Sequence, residues 1–132
     1  MVFSFMETRA ITFWKGIVSP LYDAAESIML VSHEGKRETV NVGRMSIFEK
    51  NEVLEKNEVH ILICGAISNL ACADLINKEI EVIPWIRGPV EEVLLAHSLN
   101  KLGEAPFLMP GCRTTCRTHA KENAGMKKGR YR

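Results

Sequence analysis

The chain has 132 residues, 46% of them hydrophobic and 25% charged, with a formal net charge of +1. Those totals fit one ordinary globular domain and exclude a strongly charged polyelectrolyte binder. No apolar run approaches the length of a membrane span, and the first ten residues lack the basic start and long apolar core of a secretory leader; the expected location is cytoplasmic.

In chain order, Ala10 to Trp14 ("AITFW") reads as a first strand. The following "KGIVSPLYDAAES" reads as a loop, because its Gly and Pro interrupt any periodic element. Ile28 to Ser32 and Glu38 to Val42 form a hairpin around "HEGK", where Gly35 can take positive φ. Ser46 opens a helix with Glu49 three residues on, a capping box in which each side chain satisfies a free backbone N–H. The helix runs to about Lys56, and Asn57 is placed to close it.

Val59 to Cys64 ("VHILIC") is almost continuously apolar, as in a strand covered on both faces. Ser68 is a good N-cap for a short helix through Ile76. Ile80 to Ile83 is a fifth strand. Pro89 then suits the first position of a third helix, with Glu91 and Glu92 in the turn where the helix dipole favours acids. That helix is expected to reach Lys101, with Gly103 ending it. Strands alternating with helices after the hairpin predict an α/β layered fold.

The tail differs from the body. After residue 111 there are seven Lys and Arg against the single acid Glu122, whereas acids exceed bases in the residues before it. Cys112, Cys116 and His119 stand there in C-x3-C-x2-H spacing. Three ligands fall short of the four of a structural zinc site, so zinc fits less well than a cluster with exchangeable positions. The expected organisation is one domain over 1–104 and a mobile basic tail over 105–132.

Four stretches, "FWKGIVSPLYDAAESIMLV", "VHILICGAISN", "VIPWIRGPVEEVLLAH" and "FLMPGC", together resemble the dinitrogenase iron–molybdenum cofactor biosynthesis family, the NifX/NifY-like proteins. The resemblance covers roughly Arg9 to Cys112. It is strongest in G-x-x-S-P-x-[FY]-D and I-C-G-A-I-S. It implies a ribonuclease-H-like, three-layer α/β fold: a five-stranded mixed sheet of order 3-2-1-4-5, strand 2 antiparallel, with three helices. It also implies a non-catalytic carrier or assembly factor for an iron–sulfur or iron–molybdenum–sulfur cluster. The implied partners are metallocluster biosynthesis or acceptor proteins.

In that sheet the carboxyl ends of strands 1, 4 and 5 meet at the switch point where α/β folds hold ligands. Lys15 to Pro20, Cys64-Gly65-Ala66 and Trp85 to Gly88 would converge there. Helix starts near Ser68 and Pro89 would aim free N–H groups at an anion, with Arg87 adding charge. The candidate cluster-binding residues are Ser19, Pro20, Cys64, Gly65 and Arg87; the candidate metal ligands are Cys112, Cys116 and His119. Cys64 is read either as a thiolate ligand or as a small buried residue. Cys72 and the lone histidines His33, His60 and His97 are read as structural, His60 as an interior histidine.

Two other classes stand beside the carrier. A ribonuclease-type nuclease needs carboxylates on the central strands to hold metal ions, and "AITFW" and "VHILIC" contain none. A nucleic-acid or protein-partner module could use the basic tail, but Tyr131 is its one aromatic, which argues against base stacking.

Overall fold

A computed structural model describes residues 7–99, 101, 102, 107 and 108. The elements are β1 (Arg9–Trp14), β2 (Ile17–Val18), a 3-10 turn (Tyr22–Ala24), β3 (Ser27–Val31), β4 (Arg37–Asn41), α1 (Ile47–Lys56), β5 (Ile61–Ile63), α2 (Asn69–Asn77), β6 (Glu81–Ile83) and α3 (Val90–Ser98). They form a mixed α/β fold around one open sheet of order β4-β3-β1-β5-β6, with β2 paired to β1. β3 runs antiparallel to both β1 and β4, while β5 is parallel to β1 and β6.

The sheet has six strands where five were expected. The extra one is Ile17–Val18, inside the segment read as loop. Trp14 pairs with Ile17 across a two-residue turn. Lys15 and Gly16 have φ of 51° and 85°, the positive values that a type I′ hairpin turn requires. Gly meets that requirement without cost, and Lys15 tolerates it.

Strand alternation sends side chains into two cores. On one side Ala10, Ile28, Leu30, Leu62 and Val82 pack with Leu54 of α1 and Ala71, Cys72 and Leu75 of α2. On the other, Ile11, Val31, Ile61, Ile63 and Ile83 pack with Val90, Val93, Leu94 and Ala96 of α3. The sheet is therefore the middle of three layers. Phe107 and Leu108 join the α3 side, so contacts with the fold continue past residue 104. No helix among the described residues is long and apolar enough to cross a membrane.

Helix ends are locally encoded at their starts. Ser46 and Glu49 make the complete capping box, with Oγ accepting from the Glu49 N–H at 3.2 Å and the carboxylate accepting from the Ser46 N–H at 2.9 Å. Ser68 caps α2 through the Ala71 N–H at 3.2 Å. Pro89 is the N-cap of α3, one place before the position expected for it, and α3 ends at Ser98, short of Lys101; Gly103 lies outside the described residues.

The two other helix ends share a device that the sequence reading misses. Asn57 is the C-cap of α1, and Glu58 behind it takes the left-handed conformation at φ 58°. Glu79 does the same after α2 at φ 65°. Each makes the paired Schellman bonds: Glu58 N–H to Glu55 O and Val59 N–H to Leu54 O, then Glu79 N–H to Ile76 O and Ile80 N–H to Leu75 O. The buried apolar pairs Leu54–Val59 and Leu75–Ile80 complete both motifs. Burial of those pairs outweighs the cost of a glutamate where glycine is preferred.

Candidate functional site

β1, β5 and β6 all end at one edge of the sheet, and the loops that leave them are laced together by main-chain hydrogen bonds. Ala66 N–H donates to Pro20 O, and Tyr22 N–H to Ala66 O, both at 2.8 Å. Trp85 N–H donates to Gly65 O and Ile86 N–H to Cys64 O. Val18 N–H donates to Gly88 O, and Val90 N–H to Gly16 O, both at 2.9 Å. The three segments expected to converge do so, through their backbones.

Gly65 is where they come closest. A Cβ built there would lie 2.5 Å from Ser19 O and 2.6 Å from Pro20 O. Only glycine lets the β1 loop rest on the end of β5. Ser19 is buried and its N–H donates to Thr12 O at 3.0 Å, whereas Pro20 is exposed on the rim. Arg87 is exposed, and its N–H is anchored to Phe107 O at 2.9 Å.

Cys64 lies beneath this edge rather than on it. It is fully buried in the α1–α2 core, and burial pushes its thiol pKa well up, with Asp23 nearby adding to the shift. The neutral thiol is thus the resting form. Cys72 is buried on α2 and its sulfur is disulfide-bonded, which corrects its reading as a packing residue alone. Cys112, Cys116 and His119 lie outside the described residues.

The two helix starts are capped differently. At α2, Asp23 Oδ1 accepts from the Ser68 N–H at 3.2 Å and Ser68 Oγ from the Ala71 N–H. An acid already occupies that position, which corrects the expectation of an anion site at Ser68. Pro89 gives α3 no side-chain cap. His60 is exposed, not interior, and its Nδ1 accepts from the Thr8 N–H at 3.1 Å.

The outer surface of the edge is apolar and cationic. Trp14 is 52% exposed, Ile17 43% and Leu21 42%. Lys15 Nζ sits 4.7 Å from the Trp14 ring centroid, a cation–π contact on the hairpin tip. Ile17 bridges Pro89 and Leu21 bridges Ala66, so these side chains flank both seams of the rim. Trp85, between them, is held at φ 65°. A bulky residue in the left-handed region costs on the order of 1–3 kcal/mol, and such strain concentrates at functional sites.

A polar network underlies the rim, and sequence reasoning missed it. Tyr22 is fully buried and donates its hydroxyl to Asn51 Oδ1 at 2.6 Å. Asn51 Nδ2 donates to Ala71 O at 3.2 Å and to Asp74 Oδ2 at 2.9 Å. Lys50 Nζ donates to Tyr22 O at 3.1 Å and Asp23 O at 2.7 Å. The Tyr and Asp of the G-x-x-S-P-x-[FY]-D stretch are therefore framework residues. Among the described residues, no group of three or more His, Cys, Asp or Glu is arranged to hold a metal ion.

No protein-family profile matches the chain, and no curated protein is detectably similar in sequence. Solved structures are similar in fold. The apo form of the orange protein from Desulfovibrio gigas is 20% identical, with a TM-score of 0.67 over 78% of this chain and 96% of that one. A candidate NifB protein from Thermotoga is 22% identical, with a TM-score of 0.61 over 76% and 97%. A candidate dinitrogenase from Methanocaldococcus jannaschii is 20% identical, with a TM-score of 0.56 over 71% and 89%. At these identities the likeness is one of fold.

Proposed function

We propose that this chain is a NifX-like, ribonuclease-H-like carrier or assembly factor that holds an anionic iron–sulfur or molybdenum–sulfur species at this edge, without catalysis of its own, and passes it to an acceptor protein. The observation that carries the reading is the rim itself. Three backbone-locked loops present exposed Trp14, Ile17 and Leu21 beside Lys15 and Arg87, on a fold shared with a candidate NifB protein and a candidate dinitrogenase.

In this reading the cargo is held by charge and apolar contact. Arg87 and Lys15 attract the anion, and the rim built by Ser19, Pro20 and Gly65 shapes the seat. With the chain fully reduced, Cys72 included, Cys112 and Cys116 supply thiolates and His119 an imidazole as direct ligands, the donor types that suit soft metal–sulfur species. Cys64 supports the seat from below as a packed thiol.

The test is anaerobic incubation with tetrathiomolybdate, and separately with iron and sulfide, followed by metal analysis after desalting. The chain's two tryptophans, Trp14 and Trp85, both sit at the rim, so their emission should quench on binding. Arg87→Ala should weaken binding by about tenfold, the scale of one charged hydrogen bond. Protein that retains no iron or molybdenum and shows unchanged emission rejects the reading.

A further inference from the structure

Lys50 is 1% exposed on the inner face of α1, and Asn51 beside it is fully buried. Drawing an ammonium out of water is costly, and an apolar side chain of similar length would fill the same volume without that cost. What methionine or leucine could not do is gather two carbonyl oxygens. Lys50 Nζ takes those of Tyr22 and Asp23 at 3.1 and 2.7 Å and lies 5.8 Å from the centroid of the Tyr22 ring. Burial lowers its pKa, and Asp23 opposes that shift.

Those carbonyls belong to the 3-10 turn Tyr22–Ala24, which follows the rim residues Ser19, Pro20 and Leu21. The same turn is held from two further directions. The Tyr22 hydroxyl is bonded to Asn51, and Asp23 Oδ1 accepts from the Ser68 N–H at the start of α2. Asn51 in turn reaches Ala71 O and Asp74. Two consecutive side chains of α1 thus tie the rim segment to both helices of that layer.

We propose that Lys50, assisted by Asn51, is the positioning residue of the rim: it sets the segment from Ser19 to Ala24 against Gly65 and Ala66, and so fixes the shape of the cargo seat. The proposal rests on reading the edge as a cargo site. Lys50 does not touch the cargo; it acts through the Tyr22 and Asp23 carbonyls.

The experiment compares wild type, Lys50→Met and Tyr22→Phe in two measurements on the full chain. The first is amide hydrogen exchange by NMR at Tyr22, Ala66 and Ser68, whose N–H groups bond to Ala66 O, Pro20 O and Asp23 Oδ1, with β5 amides as the internal control. The second is affinity for tetrathiomolybdate. In Lys50→Met the three rim amides should exchange about tenfold faster or more, with β5 unchanged, and affinity should fall by about tenfold, as loss of a charged hydrogen bond implies. Tyr22→Phe, which keeps the ring and removes only the bond to Asn51, should shift both in the same direction by less; should Lys50→Met fail to fold, Lys50→Gln, whose shorter amide cannot reach both carbonyls, takes its place with the same expected and overturning results. Unchanged rim exchange, uniform acceleration of every amide, or a loosened rim with unaltered affinity would each overturn the proposal. Failure of wild type to bind tetrathiomolybdate rejects the cargo reading alone, and the exchange pattern then decides whether Lys50 positions the rim.

Discussion

Replacing Gly65 by alanine would place a methyl carbon 2.5 Å from Ser19 O, 2.6 Å from Pro20 O and 2.8 Å from the Pro20 carbonyl carbon, well inside the 3.4 Å at which ordinary contact begins. All three atoms are backbone, so no side chain can swing aside. The β1 loop must withdraw by about 1 Å, enough to forfeit much of its packing attraction. The bonds from Ala66 N–H to Pro20 O and from Tyr22 N–H to Ala66 O, both 2.8 Å, would stretch or break. Overpacking at about 1–3 kcal/mol and two main-chain bonds at about 1 kcal/mol each give a loss of about 3–5 kcal/mol. Urea titration followed by far-UV circular dichroism measures it. Gly43→Ala is the matched control, because its Cβ would meet only side-chain atoms at 3.4 Å or more, and it should stay within about 0.5 kcal/mol of wild type. A Gly65→Ala protein as stable as the Gly43→Ala control would refute the claim that Gly65 is needed for close approach of the loop.

Glu58→Gly and Glu79→Gly should each stabilise the fold by about 1 kcal/mol, since both positions hold the left-handed conformation that glycine adopts freely; a lowered urea midpoint for either contradicts the assignment. Thr12→Val should also stabilise, by about 1 kcal/mol, because Thr12 Oγ1 is buried with no hydrogen-bond partner among the described residues; differential scanning calorimetry would show a raised Tm. The pKa of His97 is lowered by burial and then by Arg9, whose guanidinium lies 3.1 Å from Nδ1, with Glu7 and Glu81 opposing. The unfolded chain therefore takes up this proton more readily than the folded one, so stability should fall as pH drops below about 6.5. His97→Gln should flatten that part of the urea-midpoint profile between pH 7.5 and 5, and an unchanged slope would count against the shift. Buried Cys64 should resist brief iodoacetamide treatment of the native protein at pH 8 and react once urea is added, as mapped by peptide mass spectrometry.

Some of the site was readable because its signals are local. Ser46 with Glu49, and Ser68, announce helix starts through hydrogen bonds that span only three residues. The apolar run ending at Cys64 announces a doubly covered strand, and the switch-point rule then brings three loops to one edge. The two-residue hairpin at Lys15-Gly16 was also locally encoded, yet the loop signals of "KGIVSP" hid it. The Schellman ends left a weaker trace: in "KNEVHI" and "NKEIEV" a glutamate precedes an apolar residue at equivalent places, but glutamate does not advertise positive φ.

The alternation of strands and helices, the helix starts and the segments that meet at the sheet edge are legible in the chain, because each depends on periodicity or on bonds between near neighbours. Which side chains face inward there depends on how the packed layers meet. Lys50 and Asn51 stand in the polar run "FEKNEV", where any reading places them in solvent; they are buried because α1 lays that face over the 3-10 turn. Cys64 in "ICGA" can be read as a ligand or as a buried residue, and it is a core thiol because the α1–α2 layer covers it. The start of α2 looks open to an anion and is closed by Asp23, which lies 45 positions earlier in the chain. Burial and long-range capping depend on distances that exist only once the chain has folded, and those distances make Lys50 a support of the rim instead of a surface charge.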